Sequence, residues 1–353
     1  MRLARAAAPG LVALALAPCA AGSAGDGRIA YQRLDYPSNA IWTVDPDGSD
    51  PRRIVPDARD PSFSGSGRRV AFVRSFNVWS ARSDGTHVRQ LTDDGPGGDS
   101  FDPGYAPNGK LIAFLRGQSQ GEDQGDSLVY VMRADGTHER RLTPHDTLNG
   151  FPVFSPDSRR VVWSAAPLSA SRRSDLLVVD VDGRHRRRLT RPEHGGDFAP
   201  RFSHDGRRIV FNRSRSVRDD EDDVDIYVMD RDGGHVRRLT RTRGTDERFP
   251  SFAPDDRHIV FESEPHGSPF YDSGDVSTMR ADGSHRRRLT SATDGEFDPR
   301  YSPTGDAIVY GRWRGEQADL YTTRPDGSGH QRITTTGADE FPVAWPPPAA
   351  GSR

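Results

Sequence analysis

The sequence predicts an all-β fold built from one four-stranded unit that recurs along the chain, and three observations lead to this prediction. A D-G turn, followed by a basic stretch and an L-T or I-T pair, recurs most clearly at residues 82–92, 133–143 and 230–240. A short apolar strand precedes each of these turns. The turn glycines lie about 37 to 51 residues apart, in the range of four-stranded propeller repeats. They are Gly48, Gly85, Gly136, Gly183, Gly233, Gly283 and Gly327.

The fifth repeat shows the four strands, named A to D, in their order. His204-Asp205-Gly206 is a tight turn after strand A, and Asp232-Gly233 is the turn between strands C and D. Glycine adopts a positive φ without steric cost, so both turns are favoured at these positions. Strands A, B, C and D are predicted at residues 199–203, 207–213, 225–230 and 236–240.

The repeats also predict how the ring closes. Strand B recurs seven times, from residues 28–33 to residues 306–312, whereas strand A with its turn recurs six times in full. The chain thus opens with strands B, C and D and ends with a lone A-type strand at residues 341–345. Pairing these two fragments removes the exposed sheet edges that favour aggregation. We therefore predict a seven-bladed β-propeller over residues 27–345, with a composite closing blade and a disordered tail at 346–353.

Residues 1–24 are predicted to be an export signal. Arg2 and Arg5 supply the positive start, residues 6–17 the apolar stretch, and residues 20–24 the small residues of a cleavage site. The apolar run is too short to remain as a membrane anchor. We therefore expect a periplasmic or extracellular protein.

The only cysteine, Cys19, lies within this segment, so the mature chain is expected to have neither a disulfide nor a reactive thiol. Residues 16–19 resemble a bacterial lipobox, in which the cysteine is lipidated after cleavage. Pro18 departs from that pattern, because a small residue normally precedes the cysteine. Lipidation of Cys19 is the alternative to simple export.

The repeats resemble the TolB-type, WD40-like (PD40) propeller repeat of exported bacterial proteins. The resemblance is carried by F-S-P-D-S-R-R-V-V at residues 154–162, F-S-H-D-G-R-R-I-V-F at 202–211 and D-I-Y-V-M-D-R-D-G-G-H-V-R-R-L-T at 225–240. It implies a propeller fold and an exported protein. TolB itself has an α/β domain before a six-bladed propeller, whereas strand B here begins shortly after the signal segment. The resemblance therefore implies the repeat fold rather than a role in the Tol envelope complex.

Composition and motifs exclude several functions. The 49 Lys and Arg against 51 Asp and Glu give a net charge of −2, which does not favour binding to nucleic acid or to an anionic membrane. No G-x-S-x-G elbow, glycine-rich phosphate loop or zinc-type cysteine pair is present. We therefore expect a monomer with no catalytic residue, cofactor, nucleic-acid partner or transmembrane segment.

The predicted binding surface is the end of the propeller that carries the B–C loops and the links between blades. All the variation in loop length falls there, which is typical of a recognition surface. Acidic residues recur in the links just before strand A, and the B–C loops add Glu122, Asp123, Asp126 and the run at 219–223. We predict that this acidic face binds a protein or cell-envelope ligand, which its charge suggests is basic. The candidate residues in the links are Asp99, Asp102, Asp197, Asp246, Glu247, Glu296, Asp298, Asp339 and Glu340.

Two alternatives remain open for these residues. Each acid, taken singly, could instead cap its own turn. Arg201 and Arg300, on the innermost strands, could neutralise neighbouring acids or offer a buried contact to an anion. The acids themselves are expected at a solvated rim. Neutralising Asp197, Asp246, Glu296 and Asp298 together is therefore expected to slow association with a basic partner and to spare the fold.

Histidines give the one indication of an enzyme. Six of them lie in the D-G turns, one per blade, too far apart to share a metal ion, and are predicted to be turn residues. His145, His194 and His266 fall on the variable face instead. Some propeller polysaccharide lyases similar to this repeat class use a histidine-bound divalent metal, so a metal-dependent carbohydrate-active enzyme is the alternative function. The turn histidines are His87, His138, His185, His235, His285 and His330.

Overall fold

The computed structural model describes residues 27–346 except 36–37, 96–97, 119–126, 146, 171–172, 216–223, 267, 269–272 and 292–293. Within these residues every regular element is a β-strand apart from one turn of 3-10 helix at Leu168–Ala170. No described helix is long and apolar enough to cross a membrane. The predictions that lie outside the described residues are the signal segment with Cys19, the tail from 347 onwards, and the loop acids Glu122, Asp123, Asp126 and 219–223.

The described strands, β1 to β28, follow one another as antiparallel hairpins and group into units of four. The closing unit comprises β1 (Ile29–Asp35), β2 (Ser38–Val44), β3 (Arg52–Pro56) and β28 (Asp339–Ala344). The second unit comprises β4 (Arg59–Phe63), β5 (Arg69–Arg74), β6 (Asn77–Arg82) and β7 (Arg89–Gln90). The third unit comprises β8 (Gly98–Tyr105), β9 (Leu111–Gln118), β10 (Ser127–Arg133) and β11 (Arg140–Arg141). The fourth unit comprises β12 (Thr147–Phe154), β13 (Arg160–Pro167), β14 (Asp175–Asp180) and β15 (Arg187–Arg188). The fifth unit comprises β16 (Asp197–Phe202), β17 (Arg208–Ser214), β18 (Val224–Asp230) and β19 (Arg237–Arg238). The sixth unit comprises β20 (Thr245–Phe252), β21 (His258–Pro265), β22 (Asp275–Arg280) and β23 (Arg287–Arg288). The seventh unit comprises β24 (Glu296–Tyr301), β25 (Ile308–Arg314), β26 (Gln317–Thr323) and β27 (Gln331–Arg332).

These strands form six sheets, where seven separate ones were predicted. The third and fourth units make one sheet of eight strands, because Ser127 of β10 pairs in parallel with Leu148 of β12. The Ser127 hydroxyl donates to the carbonyl of Asn149 and accepts from its N–H, each at 2.8 Å. This local hydrogen bonding between two neighbouring units accounts for the difference.

The D-G turns dock each unit on the one before it. In the fifth unit, the Asp232 carboxylate accepts the N–H of Gly234 at 3.1 Å, which makes an Asx turn. Gly233 has a φ of 90°, and a Cβ there would lie 2.8 Å from the carbonyl oxygen of Leu189 in the fourth unit. Glycine is therefore needed both for its conformation and for this close approach. The same approach to the preceding unit recurs at Gly48, Gly85, Gly136 and Gly283.

The threonine of each L-T or I-T pair accepts a hydrogen bond from the first half of the third strand of its unit. The hydroxyl of Thr240 accepts the backbone N–H of Ile226 at 2.9 Å. A buried N–H without an acceptor would be costly, which explains why threonine rather than valine recurs here. The equivalent bonds of Thr92, Thr143, Thr190, Thr290 and Thr334 are 2.8 to 3.0 Å long.

The hydrophobic core lies between neighbouring units. One cluster joins Ile41 of β2 with Phe72 of β5, and another joins Ile226 of β18 with Phe261 of β21. Each four-stranded sheet is thus covered by its neighbours, and no unit can bury its apolar surface alone.

The first strand of six units contains a β-bulge at the residue before a proline. In β24, Asp298 has a φ of 49°, and the pairing with β25 shifts register between Phe297 and Arg300. Proline has no N–H to offer the ladder, and the extra residue bends the strand. The bulge brings Asp298 and Arg300 together, with 3.5 Å between their charged groups. The equivalent residues with positive φ are Asp60, Asp102, Phe151, Ala199 and Phe249.

The two ends of the chain meet in the closing unit. β28 pairs antiparallel with β1, with Gln32 opposite Phe341. The indole N–H of Trp345 donates to the carbonyl of Gly27 at 2.6 Å. Trp345 also packs with Leu320 of the seventh unit, so the C-terminal segment links two units at once.

Deleting residues 341–345 should destabilise the whole protein. The deletion exposes the β1 edge and removes a buried tryptophan, which alone contributes about 3–5 kcal/mol. Thermal unfolding should show a lower melting temperature, and sedimentation should show self-association. Deleting residues 347–353 is the control. A monomeric 341–345 deletion with the wild-type melting temperature would contradict this prediction.

Candidate functional site

Most of the acids predicted at a solvated rim are buried in the structure. This expectation is therefore wrong for Asp102, Asp197, Asp246, Glu247, Glu296 and Glu340, which are at most 4% exposed. Asp99, Asp298 and Asp339 are partly buried. The links cross the units where the sheets press together, so that side chains before strand A point into protein.

Four of these acids share one position and one structural task. Asp197 accepts two hydrogen bonds from Arg213 of the adjacent strand, at 2.6 and 2.8 Å. Glu296 accepts a bond of 2.5 Å from Thr290, the closing threonine of the preceding unit. Glu247 pairs with Arg286 at 2.7 Å, and Glu340 accepts a bond from Thr336. Each acid thus ties its strand to a neighbouring segment.

In other units, uncharged residues accept hydrogen bonds at the same position. Ser100 accepts a bond of 3.3 Å from Arg116, and Asn149 accepts one of 2.9 Å from the indole of Trp163. In these units the position therefore holds a hydrogen-bond acceptor, which is charged in some units and neutral in others. This observation favours a structural role for Asp197 and its equivalents.

A second group of charged side chains comes together from the innermost strands of the fifth and seventh units and from β21, the second strand of the sixth unit. We call Arg201, Glu262, Asp298 and Arg300 the inner-strand cluster. Arg201 and Arg300 are equivalent residues of β16 and β24, and each donates to the carbonyl of its own preceding proline, at 3.0 and 2.9 Å. Burial, followed by the nearby Arg300, lowers the pKa of Arg201 to about 9. Two cations are therefore held near each other away from water.

Glu262 is the member of this cluster that the sequence analysis missed. It lies in the interior of β21, on an apolar strand, and is fully buried. Burial, then the carboxylates of Glu264 and Asp298, raise the pKa of Glu262 well above its usual range. Burial also raises the pKa of Asp298. Strongly perturbed carboxyl groups are typical of functional sites, although ion-pair networks also produce them.

An ion-pair network adjoins the inner-strand cluster. Arg248 bridges Asp246 at 3.0 Å and Glu264 at 2.9 Å. His266 lies 3.3 Å from the other oxygen of Asp246. Asp246 is thus engaged from two sides, which favours support of the site over direct contact with a ligand.

A separate group forms on the first strands of the second and third units. We call Arg59, Asp60, Asp99 and Asp102 the acidic cluster. Arg59 contacts Asp60 at 2.7 Å and Asp99 at 3.8 Å. Burial, followed by the charge of Asp60, raises the pKa of Asp102 well above its usual range. One arginine therefore faces three acids, two of which lie at the bulge before proline.

The histidines of the D-G turns are turn residues in the structure. Five of them adopt a φ between 50° and 58°, a conformation in which histidine is enriched among non-glycine residues. The side chain of His145 contacts Arg141, and that of His194 is exposed. Among the described residues no three His, Cys, Asp or Glu side chains are arranged to hold a metal ion. The structure therefore does not assemble His145, His194 and His266 into a metal site.

The repeat, the D-G turns and the bulged first strands agree with a family model. The model of the TolB β-propeller domain, PD40, matches residues 166–349, which is just over half of the chain. The chain belongs to the TolB β-propeller family. The resemblance inferred from the sequence is confirmed.

Curated relatives match part of this TolB-type propeller. A TolB homologue of Chlorobium luteolum is 28% identical over 111 residues, which are 30% of this chain and 23% of that protein. An uncharacterized protein of Agrobacterium fabrum is 31% identical over 159 residues, 45% of this chain and 50% of that protein. The propeller thus spans half the length of these relatives or less.

Solved structures share the fold at low identity. A TolB structure from Agrobacterium tumefaciens has a TM-score of 0.56 at 21% identity, covering 85% of this chain and 99% of that one. An oligogalacturonate lyase in complex with manganese has a TM-score of 0.64 at 17% identity, covering 89% of this chain and 87% of that one. A puromycin hydrolase has a TM-score of 0.69 at 14% identity, covering 93% of this chain and 56% of that one. These similarities show the fold alone.

Asp197→Asn should destabilise this TolB-type propeller by about 2–3 kcal/mol. The change removes the charge that two short hydrogen bonds from Arg213 require, and leaves the half-buried guanidinium poorly paired. Urea unfolding measures the difference. Glu193→Gln, an exposed acid of the same link, is the control and should stay within about 0.5 kcal/mol of wild type. Equal stability of the two variants would contradict the structural role.

Glu296 should make the protein less stable as the pH rises. Burial raises its pKa from 4.5 to about 7, so the folded protein holds the proton more tightly than the unfolded chain. The free energy of unfolding should therefore fall between about pH 4.5 and 7. Glu296→Gln should flatten this decline in urea unfolding at several pH values, whereas Glu316→Gln, at an exposed site, should not. An unchanged slope in Glu296→Gln would refute the assignment.

Proposed function

We propose that this chain is an exported, non-catalytic TolB-type propeller that binds a protein or cell-envelope ligand over its central channel. The ligand contacts the inner-strand cluster and the acidic cluster. This proposal includes fewer residues than the acidic face predicted from the sequence, because most of those acids are buried and form hydrogen bonds that stabilise the fold. Asp298, Arg201 and Arg300 remain candidates, together with Asp99 and Asp102.

Seven blades are part of the proposal. The first strand of each unit contacts the first strand of the next, from β4 through β8, β12, β16, β20 and β24 to β28. β28 in turn contacts β4. Such a cycle supports a closed ring of seven, with the two merged units of the eight-stranded sheet counted as two blades. The innermost strands then surround the channel.

The binding proposal rests on one observation, which is the arrangement of charged side chains on the innermost strands. Arg201 and Arg300, two equivalent cations, lie near each other, and Asp298 lies 3.5 Å from Arg300. The acidic cluster differs, since Arg59 faces three acids. Desolvated charges without full compensation are costly for a fold, and binding a ligand of complementary charge offsets that cost.

The arrangement suggests the chemistry of the ligand. The two clusters lie on well-separated units of the ring and have opposite signs. A peptide segment that carries a basic group and an acidic group fits both, whereas a uniformly basic segment fits the acidic cluster alone. The proposed ligand is therefore an extended protein segment of mixed charge.

Export is proposed from residues 1–24, whose composition is that of a secretory signal. The periplasm or the cell exterior follows as the place of action. The similarity to a manganese-bound lyase shows the fold alone, and no described group of side chains could hold a metal. The carbohydrate-active alternative therefore gains no specific support.

The test is capture of a partner from envelope extract with the mature protein, followed by titration with that purified partner. Arg201→Gln combined with Arg300→Gln should weaken binding about tenfold or more, because charge-assisted hydrogen bonds are lost. Added salt should also weaken wild-type binding.

The matched control removes the same charge at the other end of the blades. Arg159→Gln combined with Arg207→Gln changes two exposed arginines of the A–B turns and should leave the affinity within about twofold, since long-range effects of exposed charges are screened. Equal affinity of both double variants would remove the inner-strand cluster as the binding site.

A further inference from the structure

A groove opens between the sixth and seventh units at the end of the molecule that carries the short A–B and C–D turns. It encloses a cavity of about 510 Å³. We call it the turn-end groove and define it by Asp255, His258, Arg280, Arg287 and Tyr301, which line it. None of the four residues of the inner-strand cluster lines this groove, so the two sites are separate.

The groove is open because His258 stands where the preceding unit has an arginine. In the fifth unit that arginine is Arg208, whose guanidinium lies 5.1 Å from the ring centre of Phe252 and donates to the carbonyl of Asp256. The shorter side chain of His258 is instead held by Asp255, 2.9 Å from its Nδ1. The aromatic face that Arg208 covers in one groove is therefore left uncovered in the next.

The aromatic residue also changes. Tyr301 occupies the position of Phe252 and Phe202, at the end of the first strand, and adds a hydroxyl to the groove. Burial raises the pKa of Tyr301, so the hydroxyl is neutral and can donate a hydrogen bond. A donor beside an apolar ring suits a ligand with both a polar and an apolar part.

A third change leaves an arginine available. In the third and fifth units, the equivalent residues Arg140 and Arg237 donate to the carbonyl of the turn aspartate in the next unit, Asp182 and Asp282. Arg287 occupies this position in the sixth unit. In the described part of the chain, its side chain makes no such bond.

The acids of the groove are already engaged in their own turns. Asp255 accepts the N–H of Arg257 at 2.8 Å and contacts the His258 ring. Asp326, also in the groove wall, accepts the N–H and the hydroxyl of Ser328, at 2.9 and 2.7 Å. Arg280 and Arg287 are therefore the charged hydrogen-bond donors that the groove offers to a ligand, beside two carboxylates held in their turns.

A neighbouring cavity extends the same cationic surface. Its volume is about 450 Å³, and it shares His258 and Arg280 with the turn-end groove. Arg208 and Arg257 add two further guanidinium groups to its wall. That wall also contains two acids. Asp256 accepts two backbone N–H groups, at 2.6 and 2.8 Å, and Asp282 accepts the N–H and the hydroxyl of Ser284, at 2.9 and 2.6 Å.

We propose that the turn-end groove binds a small organic anion, with a phosphate or carboxylate group between Arg280 and Arg287 and an apolar ring against Tyr301. Guanidinium groups bind both kinds of anion through paired N–H donors. The Tyr301 hydroxyl supplies a further hydrogen bond to the anionic group.

The experiment is a calorimetric titration of the mature protein with phenyl phosphate, benzoate and inorganic phosphate. Saturable binding of phenyl phosphate or benzoate is expected, and the tighter of the two identifies the anionic group. Inorganic phosphate should bind more weakly, because it cannot contact the ring of Tyr301.

Two variants test the location. Arg280→Gln combined with Arg287→Gln should weaken binding about tenfold or more. His258→Arg restores the arginine of the preceding unit and should weaken binding by closing the groove, even though it adds positive charge. This second variant separates loss of the site from loss of charge, and its melting temperature verifies the fold.

The matched control is Arg82→Gln combined with Arg89→Gln, the equivalent pair in the second unit. There Arg69 interacts with the hydroxyl of Tyr105, so that groove is filled. The affinity of this control double variant for the organic anions should remain within about twofold of wild type, since the long-range effects of exposed charges are screened. Absence of saturable binding of both organic anions, equal losses in the two double variants, or undiminished binding by His258→Arg would each overturn the proposal.

Discussion

The fold depends on the docking of each D-G turn against the unit before it. Gly233 shows the constraint, because its φ of 90° and the nearby carbonyl of Leu189 both exclude a side chain. Since no four-stranded unit buries its apolar faces alone, this contact and the core between the sheets must form together. The hydrogen bond from the Ile226 N–H to Thr240 then anchors the beginning of the third strand. Neighbouring repeats are therefore interdependent, and the closing unit matters because it supplies the last neighbour.

Close packing of the units determines what the acids can do. Asp197 and Glu296 lie in links that the structure buries, and each is satisfied by a hydrogen-bond donor from a neighbouring segment. Such groups connect the units at the cost of their desolvation. The inner-strand cluster differs, because Arg201 and Arg300 are cations held near each other, while Glu262 is buried beside the carboxylates of Glu264 and Asp298. That difference separates acids that maintain the fold from charges that could receive a ligand.

The two ends of the strands follow different rules. The turn end is nearly invariant between units, because the Asx turns and glycine contacts allow little change. A departure there is therefore informative, and the turn-end groove combines such a departure, His258, with the hydroxyl of Tyr301 and the guanidinium group of Arg287. The proposed protein ligand at the channel and the proposed small anion at the turn end would occupy separate surfaces of one scaffold.

The sequence by itself determined the all-β class, the repeated unit, the turn chemistry and the family, because these depend on local patterns such as D-G and L-T that recur in register. It also indicated that the first and last segments belong together, and β28 does pair with β1. Only the tertiary structure decided that Asp197 is buried while Arg201 and Arg300 approach each other, and that Glu262 joins them from an apolar strand. Burial and pairing depend on which units press together, and residues about 50 positions apart in sequence become neighbours only when the sheets pack. The merging of two units into one sheet has the same origin, since it follows from a contact between Ser127 and Asn149 that no repeat pattern encodes.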